Sequence, residues 1–192
     1  MTLSTLVLVA GMGVLSSAHA QQNQSTGLFT DASLGVGIID LEPIGRVEIE
    51  ETETGSLAGR VSVGYWFTRH WGAALNYAEL GRFRQEYEGG VLNARGRSWG
   101  LTLLGRLPIG ERWSFTGSLG LQQARLRDNG STGDVSGFSE LLGKNEAVVL
   151  LGLEMGYHLS PEMQVFVTAE PRGRSTHKAD LGYVGFGMRW HF

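Results

Sequence analysis

Alternation of apolar residues with small or polar ones is the main pattern along this chain. In the last segment, Phe186, Met188, Trp190 and Phe192 alternate with glycine, arginine and histidine. Successive side chains of a β-strand point to opposite faces, so this pattern predicts a strand with one apolar and one polar face. Eight such segments occur, at residues 29–40, 57–67, 71–80, 97–107, 113–123, 146–157, 163–170 and from about 180 onward.

The connections between the predicted strands alternate in length. The short ones are residues 68–70, 108–112 and 159–162, and the longer ones are 40–56, 81–94, 124–145 and 171–179. Short periplasmic turns and long outer loops are typical of outer-membrane barrels, whose apolar face contacts lipid and whose polar face lines the lumen. We therefore predict an all-β fold, an eight-stranded antiparallel up-and-down transmembrane β-barrel. The side chains inside a barrel of this size just fill it.

Aromatic residues of the apolar face cluster at the short-turn end of the predicted strands. We interpret them as a periplasmic girdle at the level of the lipid headgroups. The alternative, a sandwich with aromatic residues scattered through its core, gives no reason for clustering at one end. The predicted girdle consists of Tyr65, Phe67, Trp71, Trp113, Tyr157, Trp190 and Phe192.

The first twenty residues are typical of a targeting segment. Residues 3–15 are apolar, and Ala18-His19-Ala20 has the small-x-small form of a cleavage site. We predict a signal peptide at residues 1–20 and one barrel domain at 21–192. No Lys or Arg precedes the apolar run, which leaves a buried N-terminal helix as the alternative. The remaining residues contain no apolar run of the ~20 residues that a transmembrane helix needs.

A strand–turn–strand region and the final strand resemble a known family. Residues 64–72 read Gly-Tyr-Trp-Phe-Thr-Arg-His-Trp-Gly, and residues 76–81 read Asn-Tyr-Ala-Glu-Leu-Gly. Together they resemble the strand–turn–strand signature of OmpA-like β-barrel proteins. The final Gly-x-Gly-x-Arg-Trp-x-Phe is similar to the closing strand of that family. The resemblance implies a bacterial outer-membrane barrel in contact with lipid and lipopolysaccharide. It also implies insertion by the barrel-assembly machinery, with Phe192 as the assembly signal.

The resemblance leaves the function open. Longer family members append a peptidoglycan-binding domain, and none is evident here, so we expect a small stand-alone barrel that is monomeric. Its expected role is structural or surface-interacting, such as membrane integrity or adhesion. A narrow gated pore for small solutes or ions is the alternative, and a lipid-modifying enzyme is a third possibility. The net charge of -3 argues against a nucleic-acid partner.

Charged residues on the predicted polar face form a candidate network in the lumen. They are expected to pair across the barrel, because an unpaired buried charge is costly. Glu154 is expected to lie between Arg106 and Arg189. A structural plug is the main interpretation of this network, and a gate is the alternative. The network consists of Arg60, Arg106, Glu154, Glu170 and Arg189.

Other candidate chemistry is weak, and we predict no catalytic residue, cofactor or metal site. Two Ser–His pairs occur, His158 with Ser160 and Ser175 with His177. The first lies at a short turn and the second in a basic loop, and neither setting favours an enzyme. The chain has no cysteine, and its histidines are scattered. The acidic residues at 48–53 and 128–134 are more typical of solvated loops than of cation-binding sites.

Overall fold

The computed structural model describes residues 26–41, 49–53, 55–87, 90–133, 145–174 and 179–192. These residues form ten β-strands, and among them no helix is long and apolar enough to cross a membrane. The predicted signal peptide, residues 1–20, lies outside the described residues. The strands are β1 (Gly27–Leu41), β2 (Ile49–Glu53), β3 (Gly55–Trp66), β4 (Trp71–Tyr87), β5 (Gly90–Ile109), β6 (Trp113–Asp128), β7 (Thr132–Gly133), β8 (Asn145–His158), β9 (Met163–Arg174) and β10 (Ala179–His191).

Eight of these strands close into an antiparallel barrel. Their order around the wall is β1, β3, β4, β5, β6, β8, β9 and β10, and β10 pairs with β1 to complete the circle. Each of the eight therefore lies beside its neighbours in the chain. The short strands β2 and β7 add to the sheet at the long-loop end, on β4 and β5 respectively. The predicted eight-stranded up-and-down barrel is confirmed.

The barrel exposes its large apolar side chains and buries its polar ones. On β3, Val61 and Val63 are about half exposed, whereas the alternating Arg60 and Ser62 are buried. The same alternation runs along β6, where Leu121 is 67% exposed and its neighbour Gln122 is buried. A continuous apolar surface of this kind far exceeds the patches that soluble monomers expose, and it fits contact with lipid.

Three short connections join strands at one end of the barrel. In the first, the Thr68 hydroxyl oxygen accepts hydrogen bonds from the backbone N–H groups of His70 and Trp71, at 3.2 and 3.0 Å. In the third, the Ser160 hydroxyl oxygen accepts one from the N–H of Met163 at 3.1 Å. The second contains Gly110, whose φ of 66° favours glycine. The short turns thus lie where the sequence predicts them.

The hairpin of β4 and β5 is longer than predicted. The prediction ended the two strands at residues 80 and 97, but they remain paired up to Tyr87 and Gly90. The predicted loop 81–94 is therefore mostly strand, and that prediction was wrong. Apolar alternation ends where contact with lipid ends, whereas backbone hydrogen bonding between paired strands continues without it. A β-bulge at Gly81, with φ of 84°, marks the change.

Candidate functional site in the barrel lumen

Arg189 is the centre of the charged network inside the barrel. Its guanidinium donates two hydrogen bonds to the Glu154 carboxylate, at 2.8 and 2.9 Å, and two to Asp31 Oδ2, at 2.9 and 3.1 Å. A longer one, at 3.5 Å, reaches Gln164 Oε1. All four side chains are buried. Charge-assisted bonds of this bidentate kind are the strong ones in proteins, so Arg189 ties β10 to β1 and β8.

Asp31 is a member of this network that the sequence analysis missed. It lies on β1 directly opposite Arg189 on β10. The signal was present, because Asp31 is two residues before Ser33 and therefore points to the same polar face. With Asp31 included, three carboxylates accompany the three lumen arginines, and the charges of this network sum to zero.

The structure brings Arg60 and Glu170 together in a second ion pair. The Arg60 guanidinium donates a hydrogen bond to Glu170 Oε1, and both side chains are almost fully buried. Arg60 also lies over the ring of Tyr183, with 5.4 Å from its guanidinium carbon to the ring centroid. The Tyr183 hydroxyl donates to Ser33 Oγ at 2.9 Å. This pair forms a layer closer to the long loops than the Arg189 network.

Arg106 lies near the short-turn end among aromatic side chains. Its guanidinium carbon is 3.9 Å from the ring centroid of Trp66, and its Nε donates to the Arg69 carbonyl oxygen at 3.3 Å. The charges of Glu154 and Arg189 both act on it. Arg106 thus belongs to the same electrostatic network as Glu154 and Arg189, and it also packs against the indole ring of Trp66.

A small apolar cluster closes the short-turn end of the lumen. Phe29 and Trp66 are almost completely buried, with ring centroids 5.6 Å apart, and Ala74 and Leu104 pack with them. The guanidinium of Arg189 lies 4.8 Å from the Phe29 ring centroid. No aromatic residue was predicted to lie in the lumen. The position of Trp66 between outward Tyr65 and Phe67 was the available signal.

Apolar residues also enter the lumen near the long loops. Val148 and Leu150 break the alternation of their strand, and both point inward and are buried. They line a cavity of about 20 Å³ together with Leu80 and the Arg60–Glu170 pair. The irregularity in the sequence thus corresponds to an apolar layer above the second ion pair.

The cavities that the described side chains border inside the barrel are small. A polar cavity of about 30 Å³ lies between the two charged layers, bordered by Asp31, Thr116 and Glu154 among others. A cavity needs roughly 10–15 Å³ to hold one water molecule. The two cavities therefore accommodate one or two waters each, and the described side chains fill most of the lumen.

The aromatic residues of the predicted girdle all lie at the short-turn end and on the outer wall. Six of them have exposed side chains, and Tyr157 is half-buried. The rings of Trp113 and Tyr157 pack edge to face with centroids 4.9 Å apart. Phe192 is 64% exposed, and its backbone N–H donates to the Leu28 carbonyl oxygen at 2.9 Å. The chain end is thus held by its backbone while its side chain faces outward.

The structure adds no support for the Ser–His pair at residues 158–160 as a catalytic site or for the acidic stretch at Asp128 as a cation site. Ser160 serves its turn, where its hydroxyl also donates to Glu162 at 3.3 Å. Asp128 Oδ1 accepts hydrogen bonds from the hydroxyl and the backbone of Ser131, and these lower the pKa of Asp128. No cluster of three or more potential metal ligands occurs among the described residues. Ser175 and His177 lie outside them.

The sequence of the chain also matches a family model over nearly its whole length. The match to "Outer membrane protein beta-barrel domain" covers residues 6–192. The chain belongs to this outer-membrane β-barrel family. Its members lie in the bacterial outer membrane, and the predicted location is thereby confirmed. At the level of sequence alone, no curated protein matches the chain significantly.

Solved structures of small outer-membrane barrels are similar to this fold. OprG from Pseudomonas aeruginosa is 14% identical, with a TM-score of 0.57, and the match covers 88% of this chain and 99% of that one. Neisserial surface protein A is 14% identical, with a TM-score of 0.55 over 86% and 97% of the two chains. Ail, the attachment invasion locus protein of Yersinia pestis, is 13% identical, with a TM-score of 0.52 over 86% and 99%. At these identities the likeness concerns the fold alone.

Proposed function

We propose that this protein is a closed, monomeric barrel with a structural or surface-interacting role in the outer membrane. The observation that carries the proposal is the filled lumen. Arg189 binds carboxylates on β1 and β8, a second ion pair lies above it, and the two cavities bordered by described residues measure about 30 and 20 Å³. A lumen of this kind supports stability of the wall and presentation of loops more than passage of solutes.

The proposed partners follow from the location. They are the lipids and lipopolysaccharide around the wall and, during biogenesis, the barrel-assembly machinery. Membrane integrity and adhesion are the two roles in view, and attachment is part of the name of the Yersinia relative. The proposal includes no catalysis, since the hydroxyl of Ser160, beside His158, is engaged in its own turn.

Conductance in planar lipid bilayers tests the closed-barrel proposal. We expect purified wild-type protein to give no stable single-channel steps, because each charged layer is neutral and hydrogen-bonded. Glu154→Gln is expected to loosen the network and to give detectable openings. Glu111→Gln, in an exposed turn, is the matched control and should behave as wild type. Stable steps from the wild type would overturn the proposal.

The physiological role needs a test in cells. A strain lacking the protein is expected to become more sensitive to detergent and hydrophobic antibiotics if the role is membrane integrity. Reduced binding to host cells with unchanged sensitivity would assign the role to adhesion. A variant that no longer binds host cells but fully restores the phenotype of the deletion strain would exclude adhesion.

A narrow gated pore is the second candidate function. One observation favours it: the cavity between the two charged layers is lined by hydroxyl and amide groups, including those of Asn76, Thr102 and Thr116. Such groups would hydrate ions if Arg189 moved aside. Voltage-dependent steps in the wild type that become voltage-independent openings when Arg189 is substituted would support this candidate.

A further inference from the structure

Arginines gather on the outer wall of β4, β5 and β6, at the long-loop end. The strand register arranges them in two rows. Glu79, Arg97 and Arg125 lie side by side in one row, and Arg82, Arg95 and Arg127 lie in the next. All five arginine side chains are at least partly exposed. We call Arg82, Arg95, Arg97, Arg125 and Arg127 the arginine patch.

The patch begins where the lipid-facing surface ends. Below it, Tyr77 pairs with Trp99 across β4 and β5, and both rings are exposed on the outer wall. On β6, Arg125 lies twelve positions along the strand from Trp113 of the periplasmic girdle. At ~3.3 Å per residue and a tilt of ~40°, they are about 30 Å apart along the membrane normal. The apolar band of such barrels is ~25 Å tall, so Arg125 lies at headgroup level of the outer leaflet.

The patch carries an excess of positive charge. Glu79 pairs with Arg95 at 2.8 Å and with Arg97 at 3.3 Å, and one carboxylate cannot neutralise both. These three side chains remain about 40% exposed. The next strand around the barrel shows no such charge, since the outward positions of β8 at this end are Val149, Ala147 and Asn145. Among the described side chains, the excess charge therefore ends at β6 on this side of the wall.

An apolar groove adjoins the patch on the same side. It is open, has a volume of about 1010 Å³ and runs down the wall across β10, β1, β3 and β4. Arg82, Arg95 and Glu79 border it beside Tyr77. Its apolar lining includes Leu34, Leu57, Val61, Phe186 and Met188.

We propose that the patch and the groove together bind one molecule of lipopolysaccharide from the outer leaflet. The arginines take the phosphate groups of its lipid A, and the groove takes an acyl chain. Guanidinium groups match phosphate bidentately, and aromatic rings such as Tyr77 and Trp99 favour the headgroup level. A sulfated host glycan could bind the arginines, but it has no acyl chain to occupy the apolar groove. This inference gives a site to the lipid partner named in the proposed function.

Native mass spectrometry of the purified barrel tests the site. The protein in detergent micelles is titrated with lipid A that carries two phosphates, with dephosphorylated lipid A and with inorganic phosphate. The test variant is Arg82→Gln with Arg95→Gln, beside the groove. The control is Arg69→Gln with Arg112→Gln, which removes the same charge from the periplasmic turns. A second test variant, Arg125→Gln with Arg127→Gln, probes the part of the patch farther from the groove.

We expect one tightly bound lipid A per barrel. The variant with Arg82→Gln and Arg95→Gln should bind it more weakly by about tenfold or more, since charge-assisted hydrogen bonds are lost. The variant with Arg125→Gln and Arg127→Gln should lose less affinity, and the control should bind as wild type. Equal binding of dephosphorylated lipid A, equal binding by all variants, or displacement of lipid A by inorganic phosphate at similar concentration would each overturn the proposal. Lumen conductance plays no part in this experiment, so its failure and that of the closed barrel are distinguishable.

Discussion

The guanidinium of Arg106 lies over the indole ring of Trp66, with 3.9 Å between the guanidinium carbon and the ring centroid. Both side chains are buried, at 6% and 1% exposure. A cation over an aromatic face is attracted by the ring quadrupole, and this attraction increases when water is excluded. The contact explains how a charge is accommodated beside the apolar cluster at the short-turn end of the lumen.

Arg106 and Trp66 should therefore be energetically coupled. A double-mutant cycle with Arg106→Met and Trp66→Leu is expected to give a coupling energy of about 1–2 kcal/mol. The measurement is urea unfolding of barrel refolded in detergent micelles. Trp113→Leu is the control, because Trp113 faces outward on the wall. It should combine additively with Arg106→Met. Additivity in the Trp66 cycle would contradict the coupling.

Substitutions in the Arg189 network should follow a definite order of stability. Removing one partner of a buried pair typically costs about 3–5 kcal/mol, because a charge is left unpaired. Glu154→Gln should cost less than that, since Asp31 still neutralises Arg189. Arg189→Gln should cost more than Glu154→Gln, because two carboxylates lose their cation. Urea midpoints of the two variants give the order, and the reverse order would refute the described roles.

Phe192 should affect assembly more than stability. Its side chain is mostly exposed and its backbone N–H makes one hydrogen bond to Leu28, so its deletion should lower the unfolding midpoint of barrel refolded in detergent only slightly. We expect the same deletion to reduce outer-membrane insertion in cells severely. Phe67→Ala, at an exposed aromatic residue of the same girdle, is the matched control and should insert normally. Comparable losses in both assays would show that Phe192 acts only through packing.

Detergent gels offer a direct check of the lipid-embedded barrel. Unboiled protein should migrate differently from boiled protein, because the closed hydrogen-bonded wall resists detergent at room temperature. The exposed apolar belt should also make the protein insoluble without detergent. Identical migration of both samples, with solubility in plain buffer, would contradict this description.

The wall of the barrel was predictable because lipid imposes a strict period of two on its outer face. Leu101 and Leu103 alternate with Gly100 and Thr102 for this reason. The ends of β4 and β5 were not predictable in the same way. Beyond the membrane both faces of a strand contact water. Polar residues such as Arg82 and Arg84 then occupy the outer face, and the apolar residues that mark this face elsewhere are missing. Strand pairing there depends on the partner strand, which a local pattern does not contain.

The lumen was less predictable than the wall. Strand parity places Arg60, Glu154 and Arg189 inside, but it does not say which acid meets which base. That choice depends on the register between strands that are distant in sequence, as with Arg189 and Asp31. Apolar residues inside, such as Val148, also look like errors in an alternating pattern until the layer that they fill is known.

The continuation of β4 and β5 beyond the bulge at Gly81 has a consequence for what other cells encounter. β5 extends seven residues past Arg97 to Gly90, which is about 23 Å of strand at ~3.3 Å per residue. A paired ribbon is stiffer than a free loop, so the strands hold the residues up to Tyr87 and Gly90 beyond the lipid-facing part of the wall. We therefore expect the residues beside Gly90 to be accessible to antibodies on intact bacteria.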